Sequence, residues 1–404
     1  VSLIKIKTMA MRYLKRSPNT SSTDDKKTKY LNDLLSLYDQ WVENFPERKG
    51  VRQIGKIYSS KGQAMLDNGI NDKALIYDTF DFAFKNDPSS FTNPKSLAYY
   101  FQTGYDLYKS GTKISLETLF ESYEELTEKF ELLKTNISKN IDIILKKEES
   151  GTPLTSREVR NKNIYDTNSN AVSAYLRLID QRIAKEATCD ILIPLYSKNF
   201  EENKNNPLWI RRAAGRLDGK DCSDDPLFVT LVEQLHVLEP SADSAYYLGI
   251  LNDKQGNSDE ALKYYQESVS LQTDSYKKAN ILYKIAVKFK NAGRRVSARD
   301  YAQQALSFQP SLGQAYLLIA NMYADSANGC GDSQFNKRAV FWLAAQTAQK
   351  AGRVDASLKK LANRSVAAFN GRAPTKTDVF TEGNQGTTIT FSCWIRRSIK
   401  VPNL

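Results

Sequence analysis

Histidine is almost absent from this chain: His236 is the only one in 404 residues. That removes His-dependent triads and HExxH zinc sites, and with them most general-base chemistry at neutral pH. His236 itself sits in the helical stretch LVEQLHVLEP and reads as a structural residue. Cysteine is scarce as well. Cys189, Cys222, Cys330 and Cys393 include no CxxC pair, so no zinc site is expected. GxxxxGK phosphate loops and nucleophile elbows are missing. Carboxylates alone survive this search, but Asp190 beside Cys189, and Asp221, Asp224 and Asp225 around Cys222, stand where caps and turns want them. The expectation is a non-catalytic chain with no cofactor and no metal. No apolar run approaches about 18 residues, so no membrane-spanning helix is expected.

What the chain does contain is apolar and aromatic material at helical spacing. An apolar content of 41% with 11% aromatics excludes a wholly disordered chain. Tyrosine dominates the rings, 22 against four tryptophans. Such amphipathic rings fill the spaces between stacked helices and also line peptide grooves. The net charge of +11 sits at the two ends: 12 basic and 6 acidic residues over 1–60, and 22 and 12 over 240–404. Basic ends suit an acidic protein or a peripheral contact with an anionic membrane. No RGG tract, zinc spacing or RNA-binding aromatic signature accompanies the charge, so nucleic acid is not the expected partner.

The chain opens at Val1 with VSLIKIKTMAMRYLK, an amphipathic fragment without the apolar run or cleavage site of a signal peptide, and the reading allows that residues precede it. A polar break follows at 17–22. Leu31, Leu34, Leu35, Tyr38, Trp41, Val42 and Phe45 then keep the i, i+3, i+4, i+7 rule until Pro46. Blurred helix pairs continue from Ile54. From Leu116 one apolar stripe runs without a stop to about Lys147, and Gly151-Thr152-Pro153 ends it. The expected organisation is a helical module over 1–150, a polar linker over 151–164, a repeat array over 165–370 and a tail over 371–404. In the tail, Ile389, Phe391, Cys393 and Ile395 alternate with polar residues, which is the period of one strand.

Between Ser241 and Pro310 two helix pairs are written in nearly the same words. Gly249, Gly256 and Ala261 in the first recur as Ala286, Gly293 and Ala298 in the second, a period of 37 residues. Gly104 and Gly111 stand seven apart, as Gly249 and Gly256 do. With Tyr265, Leu282, Phe289, Ala302, Ala305 and Pro310 in place, this pattern resembles the tetratricopeptide repeat. The resemblance covers most of residues 26–370. It implies an all-α superhelix, with the short β segment at its C-terminus, and a role in binding other proteins within a larger complex.

In such arrays the first helix of each pair lines a concave wall. In this register the resemblance implies that Asp243, Tyr246, Ile250, Asp253, Asn280, Tyr283, Lys284, Val287, Lys290, Gln314, Leu317 and Asn321 form a peptide-binding groove. A carboxylate clamp known in one subclass would want Lys and Asn where Tyr246 and Ile250 stand, which argues against a chaperone-tail adaptor. The phrases CDILIPLYSKNFEEN, PLWIRRAAGRLDGKDCSDDPLFV and TITFSCWI are similar to cell-envelope repeat proteins of the Bacteroidota, which implies a periplasmic or outer-membrane setting, such as an assembly for secretion or outer-membrane protein biogenesis. A cytosolic adaptor or peptide receptor is the alternative. The cysteines fit both: four reduced thiols in the cytosol, or two disulfides in the envelope, for which the expected pairs are Cys189–Cys222 and Cys330–Cys393.

Overall fold

Glycine and alanine opposite large rings decide how the helices of this protein pair. The computed structural model describes residues 24–403; the opening fragment at 1–15 and the polar break at 17–22 lie outside them. Two compact units are present. One holds residues up to 133 with 171–186, the other 134–170 with everything from 187 on. The division therefore falls within two long helices rather than at the polar run after residue 150.

The first unit contains α1 (Asp24–Asn44), a hairpin of β1 (Glu47–Arg48) and β2 (Val51–Arg52), α2 (Ile54–Asp67), α3 (Lys73–Asn86) and α4 (Pro94–Lys109). It also takes the first half of α5 (Leu116–Glu149) and the end of α6 (Ser156–Ile183). Leu34 and Tyr38 of α1 bury their stripe against Ile57 and Ala64 of α2. The small hairpin turns at Lys49 and Gly50, both at positive φ; no strand was expected there. Asp72 and Asn93 accept backbone N–H bonds at the starts of α3 and α4, where four donors have no helical partner. The core is aromatic, with Phe80, Phe91 and Phe101 fully buried. The Phe80 ring fits only because residue 62 is glycine: a Cβ there would come within 2.6 Å of it. Gly104 makes the same room for Tyr77, at 2.9 Å.

The second unit stacks helix pairs: α7 (Cys189–Asn203), α8 (Pro207–Gly219) with α9 (Pro226–Leu238), α10 (Ala242–Lys254) with α11 (Ser258–Leu271), α12 (Ser275–Asn291) with α13 (Arg295–Phe308), and α14 (Gly313–Asp325) with α15 (Gln334–Val354). The small repeat positions Ala261, Ala286, Ala298, Ala302 and Ala305 are all buried, which lets the paired backbones approach. Gly256 and Gly293 turn the chain between the helices of a pair at φ of 81° and 74°, a region that costs glycine nothing. A 3-10 turn at Ala356–Leu358 leads into α16 (Lys359–Asn370), which packs chiefly on α15.

Two expectations need correction. The polar run 151–164 is not a linker: it is a turn at Gly151, at φ of 72°, followed by the first turns of the 28-residue α6. Thr155 and Glu158 cap that helix reciprocally, and the Lys147 ammonium holds the Glu158 carboxyl down to about 2. Polarity misled the reading because a helix clasped by ion pairs needs little apolar surface; Lys147–Glu158 and Lys162–Glu148 join α5 to α6 here. The tail is also more than one strand. A capped helix α17 (Lys376–Glu382) precedes β3 (Thr388–Phe391), which ends four residues earlier than the alternation suggested and pairs antiparallel with β4 (Arg397–Lys400). The turn between the strands is held by a Cys330–Cys393 disulfide, and the second disulfide is Cys189–Cys222.

Candidate protein-binding surface

The first helices of three successive pairs, α10, α12 and α14, supply the residues expected to line a groove. Their positions divide into three groups. Tyr246, Ile250 and Leu317 are buried at 3%, 1% and 7% exposure, so they are packing residues and cannot meet a ligand. The cause is neighbouring aromatic mass. The Tyr246 ring lies 5.5 Å from Tyr247 and 6.0 Å from Tyr265, while the Lys284 ammonium covers it at 5.5 Å. Burial pushes the Tyr246 phenol well above its usual pKa, so it stays neutral.

A second group, partly exposed, is engaged by neighbouring side chains. Asp253 accepts the Tyr265 hydroxyl at 2.8 Å, and Asp243 faces Arg211 at 3.8 Å. Beside them Lys288 donates to Asp218 at 2.7 Å, an α12–α8 tie that the sequence reading missed. Nothing in local spacing marks that pair, since the partners are 70 residues apart.

The third group remains reachable. Asn280, Tyr283, Lys284, Val287 and Lys290 recur at helical spacing along one face of α12, and Gln314 and Asn321 are exposed on α14. Lys284, Lys290, Gln314 and Asn321 are the most exposed; Tyr283 is half-buried, and burial raises its pKa. An amide, a phenol, an ammonium and a branched apolar group in one stripe can hydrogen-bond a peptide backbone while packing its side chains.

The tail shows how this array holds a polypeptide. The buried Arg299 guanidinium of α13 donates to the carbonyls of Trp394 and Ile395. The Trp394 ring packs 5.8 Å from Tyr323 and its indole N–H reaches the Ser326 hydroxyl at 3.1 Å. His236 is where the sequence placed it, with its Nδ1 3.1 Å from Ser244 Oγ at the start of α10. Among the described residues no cluster of His, Cys, Asp and Glu could hold a metal ion, and no helix is long and apolar enough to cross a membrane.

No family model matches the chain. The photosystem I assembly protein Ycf3 of Cuscuta gronovii is 31% identical over 112 residues, which is 26% of this chain and 67% of that protein. Ycf3 of Cyanophora paradoxa is 32% identical over 107 residues, 24% of this chain and 62% of that protein. Among solved structures, the human IFIT1 dimer with m7Gppp-AAAA is 12% identical with a TM-score of 0.37, covering 94% of this chain and 77% of that one. Yeast Tom70 is 14% identical with a TM-score of 0.28, covering 94% and 82%.

Proposed function

The chain belongs to the tetratricopeptide-repeat family, and from that premise we propose that it is a non-catalytic scaffold which binds a polypeptide along α12 and α14. The observation that carries this reading is the stripe Asn280, Tyr283, Lys284, Val287, Lys290 on α12, partly to fully accessible where Tyr246 and Ile250 on α10 are buried. The relatives are assembly proteins by name, which suits a scaffold that gathers subunits. The setting we infer is an oxidising one, a bacterial cell-envelope assembly for secretion or outer-membrane protein biogenesis. The pairing of all four cysteines supports it, because such bonds persist outside the cytosol. A cytosolic adaptor is the competing setting.

Two measurements test this. A photo-crosslinking residue at position 284 is expected to capture protein from the native source, and the same residue at exposed position 266 on α11 is not; equal capture at both positions removes the groove. Thiol titration of denatured, unreduced protein from that source is expected to find no free thiol. Four free thiols would move the protein to the cytosol.

A further inference from the structure

The array ends at α16, and its outward side is built unlike any surface the scaffold reading uses. Ala362 and Phe369 are buried, and Gly352 of α15 lies so close that its Cβ would stand 2.9 Å from that of Ala362. That close approach fixes the rotation of α16. It turns Lys360, Asn363, Arg364 and Ala367, at i, i+3, i+4 and i+7, to the other side, where with Lys359 and Ala356 they line a shallow open groove.

The groove's lining carries three basic side chains, Lys359, Lys360 and Arg364, and no acidic one. Residues 351–404 carry nine basic and three acidic side chains. Two of the three acids serve internal bonds: Asp355 accepts from the Ser357 N–H and hydroxyl, and Asp378 caps α17 and pairs with Arg338 at 2.8 Å. The Lys359 charge acts on the Asp166 carboxyl of α6, so Lys359 is partly compensated. No ion pair among the described residues engages Lys360 or Arg364.

We propose that this face of α16 docks an acidic helical segment of a partner protein, one whose own contact ridge is made of small residues. The proposal rests on the scaffold reading and names a second site for it. Other occupants fit less well. A second copy would set like charges opposite each other. An anionic bilayer favours large apolar residues on the contact face, whereas the uncharged lining residues here are Ala356, Asn363 and Ala367. Single-stranded nucleic acid asks for rings to stack on, and no lining residue is aromatic. Small residues on either side of the two cations, Ala356 and Ala367, instead let a helix backbone come close while its carboxylates reach Lys360 and Arg364.

The probe is a fluorescein-labelled peptide of Glu-Ala-Ala-Ala-Glu repeats, read by anisotropy with the full chain, beside a Gln-for-Glu analogue. The acidic peptide is expected to bind, the neutral one is not, and Lys360→Glu with Arg364→Glu together should weaken binding about tenfold or more. The same double variant should gain binding of a Lys-Ala-Ala-Ala-Lys peptide. Both positions are exposed, so the variant is expected to keep the wild-type melting curve. Equal binding by variant and wild type overturns the proposal, as does tighter, Lys360- and Arg364-dependent binding of phosphatidylglycerol vesicles or of an oligouridine. If the double variant fails this test while crosslinking at position 284 still captures protein, the α16 site is refuted and the scaffold stands. Loss of capture at 284 with intact peptide binding refutes the α12 groove alone.

Discussion

Replacing Gly249 by alanine sets two well-measured effects against each other, and the structure says which wins. Gly249 lies inside α10, where alanine is intrinsically better by about 1 kcal/mol. A Cβ there, however, would stand 2.5 Å from two atoms of the Tyr265 ring. The ring has nowhere to go. It is fully buried, Phe289 meets it edge-on at 5.8 Å, and its hydroxyl is tied to Asp253 at 2.8 Å. Overpacking of this kind costs about 1–3 kcal/mol, and because the ring cannot yield the upper part of that range applies, so Gly249→Ala should destabilise by up to about 2 kcal/mol net. Gly219, at the end of α8, has open space around its missing Cβ, and Gly219→Ala should be neutral or stabilising by up to about 1 kcal/mol. Urea unfolding followed by tryptophan fluorescence reads the right unit, because Trp209, Trp342 and Trp394 lie in it and only Trp41 lies in the other. Tyr265→Leu in the Gly249→Ala background should show a coupling of opposite sign to the single costs. A Gly249→Ala protein as stable as wild type would refute the close-packing account of the repeat.

Three other outcomes follow from named contacts. Changing Cys330 and Cys393 to serine opens a loop closed across 63 residues, with an entropic ceiling of about 4 kcal/mol; calorimetry should show the lower Tm, and amide exchange should speed up over 388–400. Arg299→Met should expose the same segment to exchange with both disulfides intact, because the tail carbonyls of Trp394 and Ile395 lose their donor; unchanged protection would show the bond to be incidental. Burial raises the pKa of Asp142, against the bonds it accepts from the Tyr276 hydroxyl and the Ser311 N–H. A carboxyl whose folded pKa is raised binds its proton more tightly when folded, so its contribution is most favourable at acid pH and declines as pH rises from the usual carboxylate range through the folded value. The stability of wild type relative to Asp142→Asn should therefore fall across that window, and a pH-independent difference would contradict it.

The fold was legible because its rule is written in residue size. Gly249, Ala261, Ala286 and Ala298 recur at a fixed period, and each is small for a steric reason that the structure displays. The same size code misled the reading of the groove. Tyr246 and Ile250 stand at positions that face the concave side of a regular array, yet spacing along one helix cannot tell whether the next pair leaves that side open. Here Tyr247 and Tyr265 fill the space around Tyr246, so the reachable stripe shifts to α12. Long-range polar ties were invisible for a different reason. Asp142 accepts from Tyr276 and from Ser311, 134 and 169 residues away, and no periodicity couples a helix to partners that distant. Those bonds carry a functional consequence. They join the second half of α5 to the first turn of α12 and to the turn before α14, the two helices of the proposed binding wall. The helix read from sequence only as an overlong stripe thus braces the starts of both helices of the proposed binding wall.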